Sequence, residues 1–122
     1  MKAGIINPDL DSEFYTSEKC HIVELSNSPD DPQVSIARVR VEPRVTTQWH
    51  RLKRSFERYY ILEGQGLIEI GDLPPQEVTP GYVVLIPPMC RQRITNTGSE
   101  DLLFLAICSP RFCVDDYEET GK

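Results

Sequence analysis

This chain of 122 residues has no apolar run long enough to cross a membrane. Its opening stretch, MKAGIINPDLDSEF, holds one lysine and mixed polar residues rather than the apolar core of a secretion signal, so a soluble, cytoplasmic protein is expected. Nor does any segment of ten residues carry apolar side chains at helical spacing, which leaves an all-β class. Basic excess is missing too. The net charge is −6, and a surface that neutralises phosphates has to be basic, so no nucleic-acid partner is expected. The four cysteines, Cys20, Cys90, Cys108 and Cys113, lack CxxC spacing and sit in or beside apolar runs such as VVLIPPMC and LLFLAIC. Reduced structural thiols are the favoured reading. Low-complexity linkers are absent, and 39% hydrophobic content suffices for a single core, so one domain is expected.

What the chain does contain is a series of short runs suited to strands. CHIVEL, VSIARVRV, TTQWHRL, ERYYILEG, GLIEI, YVVLIPP, RQRITN and LLFLAIC follow one another, separated by SNSPDDP, Pro43, KRS, GDLPP, TPG and NTGSE. Short strands with regular turns fold as a sandwich or barrel. The expected divisions are 1–18 as an irregular or edge segment, 19–113 as the β-domain and 114–122 as an acidic tail. Acids crowd the ends, at Asp9, Asp11 and Glu13 and again at Asp115, Asp116, Glu118 and Glu119. Seven of the thirteen Lys and Arg fall between Arg38 and Arg58, and Arg91 and Arg93 follow. Gathered around a site, such cations favour an anionic small molecule; spread over the outer surface, they pair with the acidic tail.

Between His50 and Asn96, polar residues recur at fixed spacing. His50 is followed by Glu57 and then Gly64; Gly81 is followed by Pro87, Gln92 and Asn96. This pattern resembles the two-part signature of the cupin family, in which Gly, His-x-His, Glu and Gly make the first part and Gly, Pro-x-Gly, His and Asn the second. Here Leu52 stands for the second His, Met89 for Gly and Gln92 for His. The resemblance covers roughly Val34 to Phe112. It implies the family's double-stranded β-helix, or jelly-roll barrel, and makes 19–113 a cupin β-barrel. A homodimer is expected from the family's habit and from the apolar run LLFLAIC, which leaves little polar outer face.

Residues two apart in a strand share a face. His50 therefore points with Leu52, Glu57 with Tyr59 and Ile61, and Gln92 with Ile94 and Asn96, and the family register turns all three rows inward. Tyr60 and Leu62 take the opposite face, apolar enough to meet a second layer or another subunit. As a metal site, the His50 nitrogen, Glu57 carboxylate and Gln92 carbonyl would present a mixed donor set for Zn, Mn, Fe or Ni. Leu52 offers no lone pair at the fourth position. Without metal, Glu57 orients His50 as general base, Tyr59 is the candidate acid, and Gln92 holds a substrate oxygen. That arrangement resembles the metal-independent epimerase and dehydratase branches of the cupins. The expected activity is of the isomerase, epimerase or lyase type on a small oxygenated anion, such as a sugar derivative or keto acid. The alternatives are a non-catalytic metabolite-binding cupin and a metal-dependent oxygenase. A plain structural reading also stands, with His50 a satisfied interior residue and Glu57 paired with Arg58, Lys53 or Arg40.

Other residues carry secondary expectations. Arg38 and Arg40 would clamp a ligand carboxylate if they faced inward. Val39 and Val41 on the alternate face suit the core better, so the arginines are expected mostly outside. His21 is expected at a surface or edge position, Cys90 as an unreactive thiol after PPM, and Trp49 outside the cavity. Phe112 or Tyr117 is expected to cover one end of the barrel.

Overall fold

In the computed structural model, which describes residues 1–121, each of the eight runs contains a strand, and three further short strands come from segments read as turn or flank. The strands are β1 (Phe14–Tyr15), β2 (His21–Ser26), β3 (Ser35–Val41), β4 (His50–Leu52), β5 (Phe56–Glu63), β6 (Gly66–Ile70), β7 (Gln76–Val78), β8 (Val83–Ile86), β9 (Gln92–Asn96), β10 (Leu102–Ser109) and β11 (Tyr117–Glu119). They build two antiparallel sheets in the orders β1-β2-β3-β10-β5-β8 and β11-β4-β9-β6-β7. From β3 to β11 consecutive strands alternate between the layers except at the β6–β7 hairpin, which is the double-stranded β-helix. The sheets do not close into a barrel, so the β-barrel expectation is corrected to an open two-layer jelly roll. The physical reason lies at the edges. β1, β7, β8 and β11 have only two to four residues each, too few to extend a ladder onto the facing sheet. No helix among the described residues is long and apolar enough to cross a membrane.

Alternation decides what fills the space between the layers. In β10 every second residue is buried, so Leu102, Phe104, Ala106 and Cys108 face inward. In β5 the inward set is Glu57, Tyr59 and Ile61, while Phe56, Tyr60 and Leu62 remain exposed. Phe104, Ile61, Ile94 and Leu102 are almost wholly removed from water, each contributing about 1.5–3 kcal/mol.

Both flanks are stitched into this sandwich. β1 pairs with β2, and β11 pairs with β4 through Tyr117 opposite Leu52 and Glu119 opposite His50. Asp116, 1% exposed, anchors the acidic tail by accepting from the backbone N–H of Arg54 at 2.6 Å and of Ser55 at 3.1 Å. Burial alone would raise its pKa, but the hydrogen bonds from Ser55 and Arg54 hold it below the ordinary value.

Two motif positions serve the backbone. Gly64 has φ +85°, and a Cβ there would sit 2.7 Å from the Asp101 carbonyl oxygen, so only glycine fits. Met89, in the place of the signature's second-part glycine, also takes a left-handed φ, +65°, while its N–H donates to the Leu52 carbonyl at 2.7 Å. Asn96 is buried and ties its turn together. Its amide donates to the carbonyls of Val41 at 2.9 Å and Glu100 at 2.8 Å, and its oxygen accepts from the Gly98 N–H at 2.8 Å.

Candidate active site

Antiparallel pairing of β4 with β9 sets His50 directly opposite Gln92, and both side chains are buried between the sheets. Glu57 and Tyr59 meet them from β5 in the other sheet. The Gln92 amide donates to Glu57 Oε1 at 2.8 Å, and the Tyr59 hydroxyl donates to Gln92 Oε1. The Cys108 thiol lies 3.7 Å from Glu57 Oε2. The spacing thus brings His50, Glu57, Tyr59 and Gln92 into one inter-sheet cluster. It also commits three of them to each other. The Tyr59 hydroxyl donates to Gln92, and each end of the Gln92 amide already has one partner within the protein.

Burial pushes the Glu57 carboxyl up to about 7, against the opposing pull of the His50 charge and the Gln92 hydrogen bond. Tyr59 is driven well above the ordinary phenol value, first by burial and then by the neighbouring Glu57 and Glu18 carboxyls. His50 is held differently. Its Nδ1 lies 2.8 Å from the Gln48 carbonyl oxygen, which can only accept, so Nδ1 carries the proton. In the neutral ring that leaves Nε2 with its lone pair, 3.6 Å from Glu18 Oε2. The Tyr117 ring stacks on His50 with centroids 5.2 Å apart and planes 28° apart.

Glu18 is the residue that sequence reasoning missed. It sits in the segment read as irregular, where its N–H donates to Thr16 Oγ1 at 3.2 Å and its carbonyl accepts from the Gln48 N–H at 3.0 Å. Burial raises its carboxyl pKa, with the His50 charge opposing. The bond to Gln48 is long-range, and no local pattern announces it.

His50, Glu57, Tyr59, Glu18 and Tyr117 line a cavity of about 280 Å³, and Gln92 stands behind them. Its walls are largely hydrocarbon, from Ala37, Val39, Leu52, Phe104 and Ala106, and both Phe112 and Tyr117 line it. Arg38 and Arg40 do not. Ala37 and Val39 take the inward face of β3, and the arginines fall on the outer one, where Arg40 binds Glu13 at 2.7 Å and Asp101 at 3.3 Å and Arg38 lies 4.0 Å from Glu13. Arg51, Arg91 and Arg93 likewise face Glu118, Asp72 and Glu69, and the guanidinium groups of Arg91 and Arg93 lie over the Trp49 ring at 4.7 and 4.5 Å from its centroid. His21 is outside as well, 2.8 Å from Glu42. Cys90 is half-buried and away from the cavity, and burial raises its thiol pKa.

The donors named for a metal do not fit one. The Gln92 oxygen holds the Tyr59 hydroxyl, its amide nitrogen faces Glu57, and Leu52 is hydrocarbon. Among the described residues no three His, Cys, Asp or Glu side chains converge as a metal site.

The profile of the Cupin domain family matches residues 37–108. An uncharacterized protein of Methanocaldococcus jannaschii is 36% identical over 84 residues, covering 69% of this chain and 66% of that protein, just under two thirds of its length. Among solved structures, KdgF from a Halomonas species superposes with a TM-score of 0.78 at 14% identity, over 91% of this chain and 96% of that one. Pac13 of Streptomyces, described as a nucleoside dehydratase, also gives 0.78, at 17% identity over 97% and 92% of the two chains. At such identities the likeness to these two structures is one of fold.

Proposed function

The chain belongs to the cupin family, and from that premise we propose that it acts on a small oxygenated molecule by acid–base chemistry, as an isomerase, epimerase or lyase. The observation that carries this reading is the orientation of His50. Its Nδ1–H is spent on Gln48, so its Nε2 is presented as a base to an apolar cavity with Glu18 at 3.6 Å to stabilise the imidazolium. Hydrocarbon walls exclude water and strengthen that pairing. Burial pushes the Glu57 carboxyl up to about 7, which leaves a second group on the same cavity able to exchange a proton near neutral pH. Pac13, described as a nucleoside dehydratase, supplies a precedent for lyase chemistry on this fold.

The test is proton exchange. Small hydroxy-carbonyl compounds incubated with the protein in deuterated water should lose the signal of the proton beside the carbonyl, and His50→Ala should abolish that loss. Binding without exchange would favour a second reading, a non-catalytic metabolite-binding module. That reading draws support from the mutual satisfaction of Glu57, Gln92, Tyr59 and Cys108.

A homodimer is part of the proposal. On the outer face of the six-stranded sheet, Leu105, Tyr60 and Val83 stand side by side across β10, β5 and β8, flanked by exposed Leu62 and Leu85. A second copy of this face would cover that apolar strip. The four free cysteines suit a reducing compartment such as the cytoplasm.

A further inference from the structure

We propose that the cavity takes an uncharged ligand, an apolar ring or chain bearing a carbonyl or hydroxyl oxygen that the Tyr117 hydroxyl binds. The inference rests on the acid–base reading above and names the substrate class of that site. Charge is the first observation. Among the described residues, the lining holds the acids Glu18, Glu24 and Glu57 and the single ring of His50, with no Lys or Arg. The arginines of β3 lie on the opposite face, bound to Glu13 and Asp101. A carboxylate or phosphate entering this space would leave water for a site with three acids and no fixed counter-charge. A cation fares little better, because Glu57 is bonded to Gln92 and Cys108 and Glu18 stands against His50. The anionic ligand expected from the clustering of basic residues in the sequence therefore has nothing to meet it inside.

Tyr117 is the second observation. Its hydroxyl is buried and has no hydrogen-bond partner among the described residues, its residue lines the cavity, and its ring is held against His50. Thr120 Oγ1 is also buried and unpartnered, but that residue does not line this cavity. A buried hydroxyl without a partner is costly, and a ligand oxygen at this point removes the cost. Burial, reinforced by Glu18 and Glu119, raises the Tyr117 pKa, so the phenol stays protonated and donates. Because the Tyr117 ring stacks on His50, a ligand oxygen accepting from Tyr117 would lie on the side of the cavity that carries the imidazole. The volume, about 280 Å³, is at the lower end for ligand pockets and suits a small molecule.

Matched pairs of methyl esters and their free acids test this, because the members differ in charge on one skeleton. Glycolate, lactate and mandelate, each with its methyl ester, would be titrated by calorimetry and ligand-detected NMR against wild type and Tyr117→Phe in deuterated water. At least one ester should bind wild type about tenfold more tightly than its acid. Tyr117→Phe, which keeps the stacked ring, should weaken that ester about fivefold or more. The inference is overturned if the acids bind as tightly as the esters, if no ester binds up to about 10 mM, or if Tyr117→Phe leaves ester affinity unchanged. The charge comparison needs wild type alone, so it stands even where the variant fails to fold. Proton exchange read in the same samples separates the two proposals. Esters that bind without His50-dependent exchange contradict the catalytic reading only, and exchange of tightly bound acids contradicts the charge inference only.

Discussion

Glu57→Gln removes a carboxylate that burial penalises, and the size of the gain follows from where that carboxyl ionises. In the fold it titrates at about 7, against a starting value of 4.5, because burial outweighs the His50 charge and the Gln92 hydrogen bond. Below 4.5 the carboxyl is protonated in both the folded and the unfolded chain, and the substitution changes little. As pH rises from 4.5 to 7 the unfolded chain releases its proton first, so the wild type loses stability through that window. Above 7 the loss is complete. Each tenfold separation in acidity is about 1.4 kcal/mol, which makes the full loss roughly 3 kcal/mol. Glutamine is isosteric, and its carbonyl oxygen still accepts from the Gln92 amide. The variant should therefore gain roughly 3 kcal/mol over wild type at pH 8 that it does not gain at pH 4, or about 10 °C in thermal midpoint. Urea unfolding followed by circular dichroism at the two pH values measures this double difference. Glu18, raised in the same direction, is present in both proteins and largely cancels. An equal gap between variant and wild type at both pH values would refute the reasoning, because Glu57 would then carry no desolvation penalty.

Gly64→Ala should cost more than about 2 kcal/mol in urea unfolding, since it adds a left-handed φ penalty to a 2.7 Å clash with a backbone oxygen. Met89→Gly should stabilise by about 0.5–1 kcal/mol, the relief at φ +65° exceeding the added freedom of the unfolded chain. Asp116→Ala should cost about 2–3 kcal/mol, because it strands the N–H groups of Arg54 and Ser55. With its pKa held below the ordinary value of 3.8, Asp116 adds stability that is present above that value and lost as pH falls through the lower folded one. Light scattering should give about twice 13.9 kDa, and Leu105→Lys on the outer strip should shift the protein toward monomer; a wild-type monomer at all concentrations would end the dimer reading.

The part of the site legible in the sequence is the part carried on regular strands. His50 lies opposite Gln92, and Glu57 with Tyr59 faces them, because two-residue periodicity and the motif spacing fix both register and face. The same alternation put Val39 and Val41 inside and the arginines of β3 outside. The spacing named Gly64 and the Met89 position without saying why, and the structure supplies the reason in their left-handed φ. Glu18 was not legible as a site residue, and Tyr117 was legible only as a cover for one end of the fold, not as a group against His50. Each reaches the cavity from a flank held by long-range contacts, the Gln48 N–H for one and the β11–β4 pairing for the other, and neither contact has a local sequence signature. The committed bonds of Tyr59 and Gln92 were equally hidden, since spacing brings side chains together without saying which will satisfy each other.

The protonation of the His50 ring tests the acid–base account most directly. With His21→Gln leaving a single histidine, long-range proton–nitrogen correlation NMR of the labelled protein at about pH 8 reads the neutral tautomer. The account predicts a protonated Nδ1, bonded to the Gln48 carbonyl, and a bare Nε2 facing the cavity. A neutral ring protonated at Nε2 would leave no base in the cavity and would contradict it.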